Sequence, residues 1–243
     1  MALQLDIFSD LHLDLMSSED INRFFENLTM HSRADICLIP GDIAEARDHR
    51  YGNWLERISY EYRSIYVVKG NHEPWGSSIP ETNKRLKQLT DKHYINLVEP
   101  GKVFQLGEYK VMGGTLWFND TNPYNRWIDY YRIKEGLTDI PTEYQAFCEK
   151  VLPAIDDKTI VLSHHFPTSE SIDPMYRGDP NNIYFCAYIQ DKIIKAPRVW
   201  LHGHTHVPFD YISELGFRTY CNPMGYNGEG MNKDFWNRLT IEI

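Results

Sequence analysis

The chain has 243 residues, 42% of them hydrophobic and 24% charged, which suits one sizeable α/β core and excludes a generally disordered polypeptide. Its formal net charge is −9, from 25 Lys and Arg against 34 Asp and Glu, which argues against long nucleic acid as a partner, since such binding needs clustered cations that displace counterions. Cys37, Cys148, Cys186 and Cys221 form no CxxC pair, Asp6 interrupts the N-terminus too early for a signal peptide, and no stretch nears the ~18 apolar residues of a membrane span, so a cytoplasmic protein without a membrane partner is expected.

Residues 3–9 read as a strand running into the polar stretch 10–14. Ser17 or Ser18 can cap a helix reaching about residue 30, with Ile21, Phe24, Phe25 and Leu28 on one face. Residues 34–40 form an apolar strand that ends at Gly41-Asp42. A helix is expected over about 50–62, then a strand over 64–69 that ends at Gly70-Asn71-His72. Pro80, suited to a first helical turn, introduces a helix over 81–92. Residues 102–106 and 109–112, joined by Gly107-Glu108, suggest a hairpin. A helix near 142–152, a strand at 159–163, a helix near 183–195 and a strand at 199–201 follow, and the tail (209–213, 218–221, 239–243) looks all-β.

Without repeats or low-complexity linkers, residues 1–243 are expected to form a single domain. Two stretches break the alternation. Residues 119–141 are polar and aromatic, and residues 166–182 are rich in Pro, Ser, Asp and Asn. Loops of this length inside a compact domain are often functional, and 119–141 is read as a substrate-facing insertion.

Each expected core strand ends in residues of metal-ligand chemistry: Asp10-Leu11-His12, Gly41-Asp42, Gly70-Asn71-His72-Glu73, Ser163-His164-His165 and His202-Gly203-His204-Thr205-His206. Taken alone, each has an ordinary explanation as a turn, an Asx-turn or a buried histidine. Their weight comes from order. All five follow apolar strands, and parallel α/β sheets build their sites outside the carboxyl ends of the strands. Asp10, His12, Asp42, Asn71, His164, His204 and His206 make seven ligands, enough for two ions with one bridging carboxylate. Imidazole, carboxylate and amide oxygen together suit Mn²⁺, Zn²⁺ or Fe²⁺ (Ni²⁺ is also admissible), with Mn²⁺ the first expectation. Two such ions can clamp the attacking and leaving oxygens of a displacement at phosphorus.

This motif series, from Asp10-x-His12 to Gly203-His204-x-His206, resembles that of the calcineurin-like metallophosphoesterases over residues 3–208. The resemblance implies a four-layer α/β/β/α sandwich of two mixed sheets flanked by helices, with a dinuclear site at the strand C-terminal ends. Carried over by motif, Asp10, His12 and His206 would hold one metal, Asn71, His164 and His204 the other, and Asp42 would bridge. A hydroxide between the ions would attack phosphorus, and His72 would be no ligand but a general acid or transition-state stabiliser. The protein-phosphatase branch has an Asp three residues after the bridging Asp to orient this histidine, and here that place is Glu45, whose longer carboxylate could do the same. Four residues after Asp42 that branch has Arg, but this chain has Ala46, with Arg47 displaced by one. That argues against a phosphoserine/threonine protein phosphatase. The segments 221–226 and 113–117 look like a poorly characterised bacterial and phage-type branch, which implies no substrate.

The reading is therefore a metal-dependent phosphoesterase acting on a small phosphodiester or nucleotide. Arg126 and Trp127, within the aromatic stretch 119–141, are the candidate substrate-binding residues, offering a cation and a stacking face. Two rivals use the same motifs: a DNA or RNA nuclease, which the acidic balance opposes, and a non-catalytic interaction scaffold, which an intact His72 and ligand set oppose.

Overall fold

The structure, a computed structural model, describes residues 2–120, 127–230 and 232–243. In chain order its first elements are β1 (Gln4–Ile7), α1 (Ser18–His31), β2 (Ile36–Ile39), α2 (Tyr51–Ser59), β3 (Ser64–Val67), α3 (Ile79–Lys92) and β4 (Asn96–Leu97). The hairpin β5 (Phe104–Leu106) and β6 (Tyr109–Gly114) follows, then α4 (Ile128–Arg132), α5 (Gly136–Lys150), β7 (Thr159–Ser163), β8 (Val199–His202), β9 (Phe209–Ile212), β10 (Arg218–Cys221) and β11 (Thr240–Glu242).

The strands form two mixed sheets, ordered β11-β1-β2-β3-β4 and β5-β6-β7-β8-β10-β9. β1 to β4 run parallel, with β11 antiparallel at one edge. β6, β7, β8 and β10 are also parallel, flanked by antiparallel β5 and β9. Strands that bury both faces need apolar residues of either parity, and the sorting is visible along each. Leu38 and Tyr66 point between the sheets, where they meet Val111, Ile160, Leu162, Val199 and Leu201. Their neighbours Cys37, Ile39, Ile65 and Val67 face outward against Phe24, Trp54, Leu55 and Leu86 of α1, α2 and α3. On the second sheet, Met112, Val161 and Trp200 face outward against Ile140, Tyr144 and Phe147 of α5. The layer order is therefore helix, sheet, sheet, helix, as expected.

Local signals set the helix starts. Ser17 Oγ accepts from Asp20 N at 3.1 Å, and Ser78 Oγ from Glu81 N at 3.3 Å. The second cap starts α3 at Ile79, with Pro80 inside its first turn.

Two expectations about elements need correction. The helix near 183–195 does not form: two short 3₁₀ segments, Pro180–Tyr184 and Gln190–Lys192, flank an irregular stretch in which Tyr188 has φ 49°. Its apolar side chains disperse, with Cys186 packing against Phe166 while Ala187 and Ile189 join the cluster beneath α5. Residues 119–141 are partly regular, since they contain α4 and the first turns of α5, which starts at Gly136 rather than near residue 142. The two-residue strand β4 is too short to carry a visible hydrophobic period.

Candidate metal centre

Parallel order within each sheet brings the carboxyl ends of β1, β2, β3, β7 and β8 to one place, where the five motifs meet. Three overlapping groups of side chains have ligand atoms within 4.8 Å of one another: Asp10, His12 and His206; His12, Asp42 and His72; Asp42, His164 and His204. His12 Nε2 lies 3.1 Å from His206 Nε2, which is 3.7 Å from Asp10 Oδ1. Asp42 Oδ2 lies 3.3 Å from His164 Nε2 and 4.0 Å from both His12 Nε2 and His72 Nε2. Asn71 joins through Oδ1, 2.9 Å from His164 Nε2.

Such crowding requires special backbone. Asp10, His12, Asp42, His204 and His206 all have φ between 46° and 68°, and they are five of the nine non-glycine residues with positive φ among the described residues. Each such conformation costs about 1–3 kcal/mol and persists only where the surroundings impose it. Two motif glycines have a matching reason. A Cβ on Gly70 would collide with the Asp42 carboxylate, and one on Gly203 would stand 2.7 Å from Asp10 Oδ2.

A layer of hydrogen bonds aims these side chains. His164 Nδ1 lies 2.7 Å from the Pro40 carbonyl, which holds a proton there and turns Nε2 toward the cluster. His206 Nδ1 is likewise 2.8 Å from Glu229 Oε2. The His204 amide donates to Asp10 Oδ1 (2.9 Å), and the His72 amide donates to Asp42 Oδ1 (2.9 Å). Below Asp42, fully buried Glu73 accepts from the amides of Asp42, Ile43 and Gly70 and from the Tyr51 hydroxyl. Burial and Asp42 push its carboxyl up to about 8, against the pull of those amides.

Asp129 of α4, 0% exposed, does the corresponding work for Asn71. It accepts from Asn71 Nδ2 at 3.1 Å, Trp75 Nε1 at 2.7 Å and Trp127 Nε1 at 3.0 Å. The first of these bonds turns the amide so that Oδ1 faces His164.

Electrostatics favour ligation. Burial pushes His12 and His204 well below the usual histidine range, so both present neutral rings. Burial also opposes the charge on Asp42, but His164 and His72 outweigh it and hold the carboxyl well below its ordinary value. His164 is the exception: burial acts downward but Asp42 lifts it to about 9, so without a cation its ring is protonated against Asp42, and an ion there would take the place of the Nε2 proton. With its Nδ1 proton given to Glu229, His206 directs an Nε2 lone pair at His12 Nε2. Two imidazole nitrogens and a carboxylate in that arrangement fit a divalent transition-metal ion between them, and the set around Asp42 fits a second.

The structure also places the remaining predicted residues. His72 sits between the ring of Trp75, stacked at 3.6 Å, and the hydroxyl of Tyr226, 3.1 Å from Nε2. Glu45 is drawn elsewhere. Its carboxylate takes Arg47 Nε at 2.6 Å and Arg132 Nη2 at 2.7 Å, and no hydrogen bond joins it to His72 among the described residues. It reaches His72 only at a remove, because the Arg132 guanidinium lies 4.6 Å from the centre of the Trp75 ring. The extra methylene of Glu carries the carboxylate to the arginines. Trp127 stacks on Tyr184 with ring centres 4.4 Å apart, while Arg126 lies outside the described residues.

Above the cluster opens a cavity of about 650 Å³. Trp75, Trp127, Phe166, Phe185 and Tyr226 supply aromatic wall, and Asp173, Asp179 and Glu229 are the carboxylates at its edge. Trp75, Asp129, Tyr226 and Glu229 were not singled out by motif. Only Asp129 and Tyr226 lay in segments that had drawn notice.

The sequence profile described as calcineurin-like phosphoesterase matches residues 3–208. An uncharacterized protein of Acanthamoeba polyphaga mimivirus is 28% identical to this chain over 267 residues, covering 96% of this chain and 95% of that one. Among solved structures, phosphopantetheinyl hydrolase from Mycobacterium tuberculosis superposes with a TM-score of 0.71 at 14% identity, covering 100% of this chain and 96% of that one. A dimetal phosphatase from Danio rerio gives a TM-score of 0.54 at 10% identity, covering 90% and 86%. Those two likenesses concern the fold.

Proposed function

The chain belongs to the calcineurin-like phosphoesterase family and is a metal-dependent hydrolase of phosphoesters, and from that premise we propose that it cleaves a small phosphodiester or nucleotide at a two-metal centre. Asp10, His12 and His206 would hold one ion and Asn71, His164 and His204 the other, with Asp42 shared between them. Mn²⁺ is the first candidate, with Zn²⁺, Fe²⁺ and Ni²⁺ as alternatives. The carrying observation is the position of Asp42 Oδ2, within 4.0 Å of imidazole nitrogens from both sets. Bound there, divalent cations supply Lewis-acid stabilisation of phosphoryl charge and lower the pKa of water.

The chain's own groups do the rest. His72 lines the cavity beside the cluster and shares a proton with the departing oxygen, as a general acid or a hydrogen-bond donor. Its stacking on Trp75 restricts the ring, so little orientation is left to settle in the transition state. The half-buried rings of Trp75 and Phe185, which line the cavity, limit water around the reacting bond. The ~650 Å³ above the cluster suits a nucleotide-sized molecule, and the stacked Trp127–Tyr184 pair offers an aromatic surface for a base. Arg126, which precedes Trp127 in the chain and lies outside the described residues, is the candidate cation.

The acidic groups at the cavity edge disfavour a long polyanion such as DNA or RNA. A hydrolysis screen with added Mn²⁺ tests the reading. Bis-p-nitrophenyl phosphate, p-nitrophenyl phosphate, cyclic nucleotides and short oligonucleotides are compared, and turnover of the small esters but not of the oligonucleotides is expected. Preference for oligonucleotides would reverse the substrate assignment.

A further inference from the structure

We infer that residues 222–230, which lie beyond the stretch matched by the family profile, complete the metal centre: Glu229 is a positioning residue for His206, and Tyr226 is a positioning residue for His72. The inference rests on the ligand assignment proposed above.

This segment is stitched to the chain that bears Asp10. Asn222, fully buried, donates from Nδ2 to the Ile7 carbonyl at 2.8 Å, and its own carbonyl accepts from Ser9 N at 3.2 Å. Met224 N then donates to Ser9 O at 2.9 Å, and Gly225 N to Asp10 O at 3.0 Å. The chain next turns back on itself. Glu229 Oε2 accepts from Tyr226 N at 2.9 Å and lies 2.8 Å from His206 Nδ1. Gly225, at φ +77°, makes room for this, since a Cβ there would stand 2.7 Å from that same oxygen. One carboxylate oxygen thus closes the turn and accepts the hydrogen bond from the imidazole.

The consequence for His206 is a fixed tautomer. With Nδ1–H committed to Glu229, the Nε2 lone pair faces Asp10 and His12, and the carboxylate makes the ring a better donor to a cation. For Tyr226, closure of the turn sets the ring 4.4 Å from His12 and 4.7 Å from His206, centre to centre. Its hydroxyl then reaches His72 Nε2 at 3.1 Å. His72 is thereby held on one side by the ring of Trp75, from its own strand end, and at its tip by the Tyr226 hydroxyl, from a segment 154 positions away.

The test is calorimetric titration of Mn²⁺ into the metal-free full chain. The variants are Glu229→Ala, Glu229→Gln, Tyr226→Phe and, as a control in the same turn, Asn227→Ala, which loses only the Nδ2 bond to Asp20 Oδ2. Thermal melts of the metal-free forms verify folding. Glu229→Ala should weaken one of two sites by about 10–100-fold, the usual cost of removing an outer hydrogen-bond partner of a ligand. Glu229→Gln, which keeps an acceptor oxygen, should recover most of the loss, and Asn227→Ala should bind as the unmodified chain does. Tyr226→Phe should keep both affinities yet lower kcat for alkyl phosphoesters by about 10-fold, part of the roughly 10²–10⁴ an acid–base group supplies. Its effect on nitrophenyl esters should be smaller. Unchanged binding by Glu229→Ala, or an equal loss in Asn227→Ala, overturns the role of Glu229. An equal kcat deficit across leaving groups in Tyr226→Phe overturns that of Tyr226. If the unmodified chain itself takes up fewer than two ions, the fault lies in the ligand assignment, so the two failures are distinguishable.

Discussion

Asp129→Asn separates the scaffold of the centre from its chemistry, because it changes one buried atom of a residue that touches no phosphate. The carboxylate now accepts three N–H donors, from Asn71, Trp75 and Trp127. Indole N–H groups can only donate, so an amide in this place must turn its own NH₂ toward at least one donor. Leaving a buried donor unsatisfied costs about 1–3 kcal/mol. Part of this is offset, because burial already disfavours the charge and pushes the Asp129 carboxyl up to about 6. A net loss of roughly 1–2 kcal/mol corresponds to about 2–8 °C in the Tm of a chain this long. The more telling effect is on metal. Freed from Asp129, the Asn71 amide can rotate and withdraw Oδ1, so the ion held with His164 and His204 should bind roughly 10-fold more weakly. The ion held by Asp10, His12 and His206 should keep its affinity. Melts of the metal-free protein and Mn²⁺ calorimetry read these two effects apart. Equal weakening of both sites, or of neither, would refute the claim that Asp129 acts through Asn71.

Three further outcomes are expected. Asp42→Asn should be the most damaging ligand change, with loss of both metals accompanying loss of turnover; near-normal turnover with two metals bound would contradict the bridge. His72→Asn should keep both metals and lower kcat by about 10²–10⁴, or roughly 3–5 kcal/mol. That deficit should shrink for p-nitrophenol esters, which need little protonation on departure, and a steady-state series over leaving groups checks it. Trp127→Ala should raise KM for a nucleotide substrate more than for bis-p-nitrophenyl phosphate, whereas equal rises would assign the ring to packing alone.

The layers and the meeting point of the motifs were legible because they depend on patterns many residues long. Leu38 between Cys37 and Ile39, or Trp200 between Val199 and Leu201, belongs to a run that only a strand buried on both faces can use. Strand ends rich in Asp, His and Asn follow from the few side chains that ligate cations. What stayed hidden acts through single residues at long range. Asp129 is one carboxylate in a polar stretch, and nothing local tells that it will reach Asn71 58 positions away. Glu229 meets His206 across 23 positions, only because Gly225 lets the turn close. The positive φ of five candidate site residues leaves no local mark either, since neither Asp nor His demands it. Residues 183–195 misled because an apolar run fits a helix or an irregular wall equally well, and Tyr188 at φ 49° decides for the wall. At Glu45 nothing local tells that Arg132, 87 positions away, will share its carboxylate with Arg47.

The proposed centre has two divalent ions on seven named side chains, with His72 outside the ligand set. A crystal structure of the Mn²⁺-loaded protein, with anomalous scattering at the manganese edge, tests it most directly. Two peaks about 3.5–4 Å apart are expected, with Asp42 touching both, Asp10, His12 and His206 at one, and Asn71, His164 and His204 at the other. A single peak, or His72 ligating either ion, would contradict it.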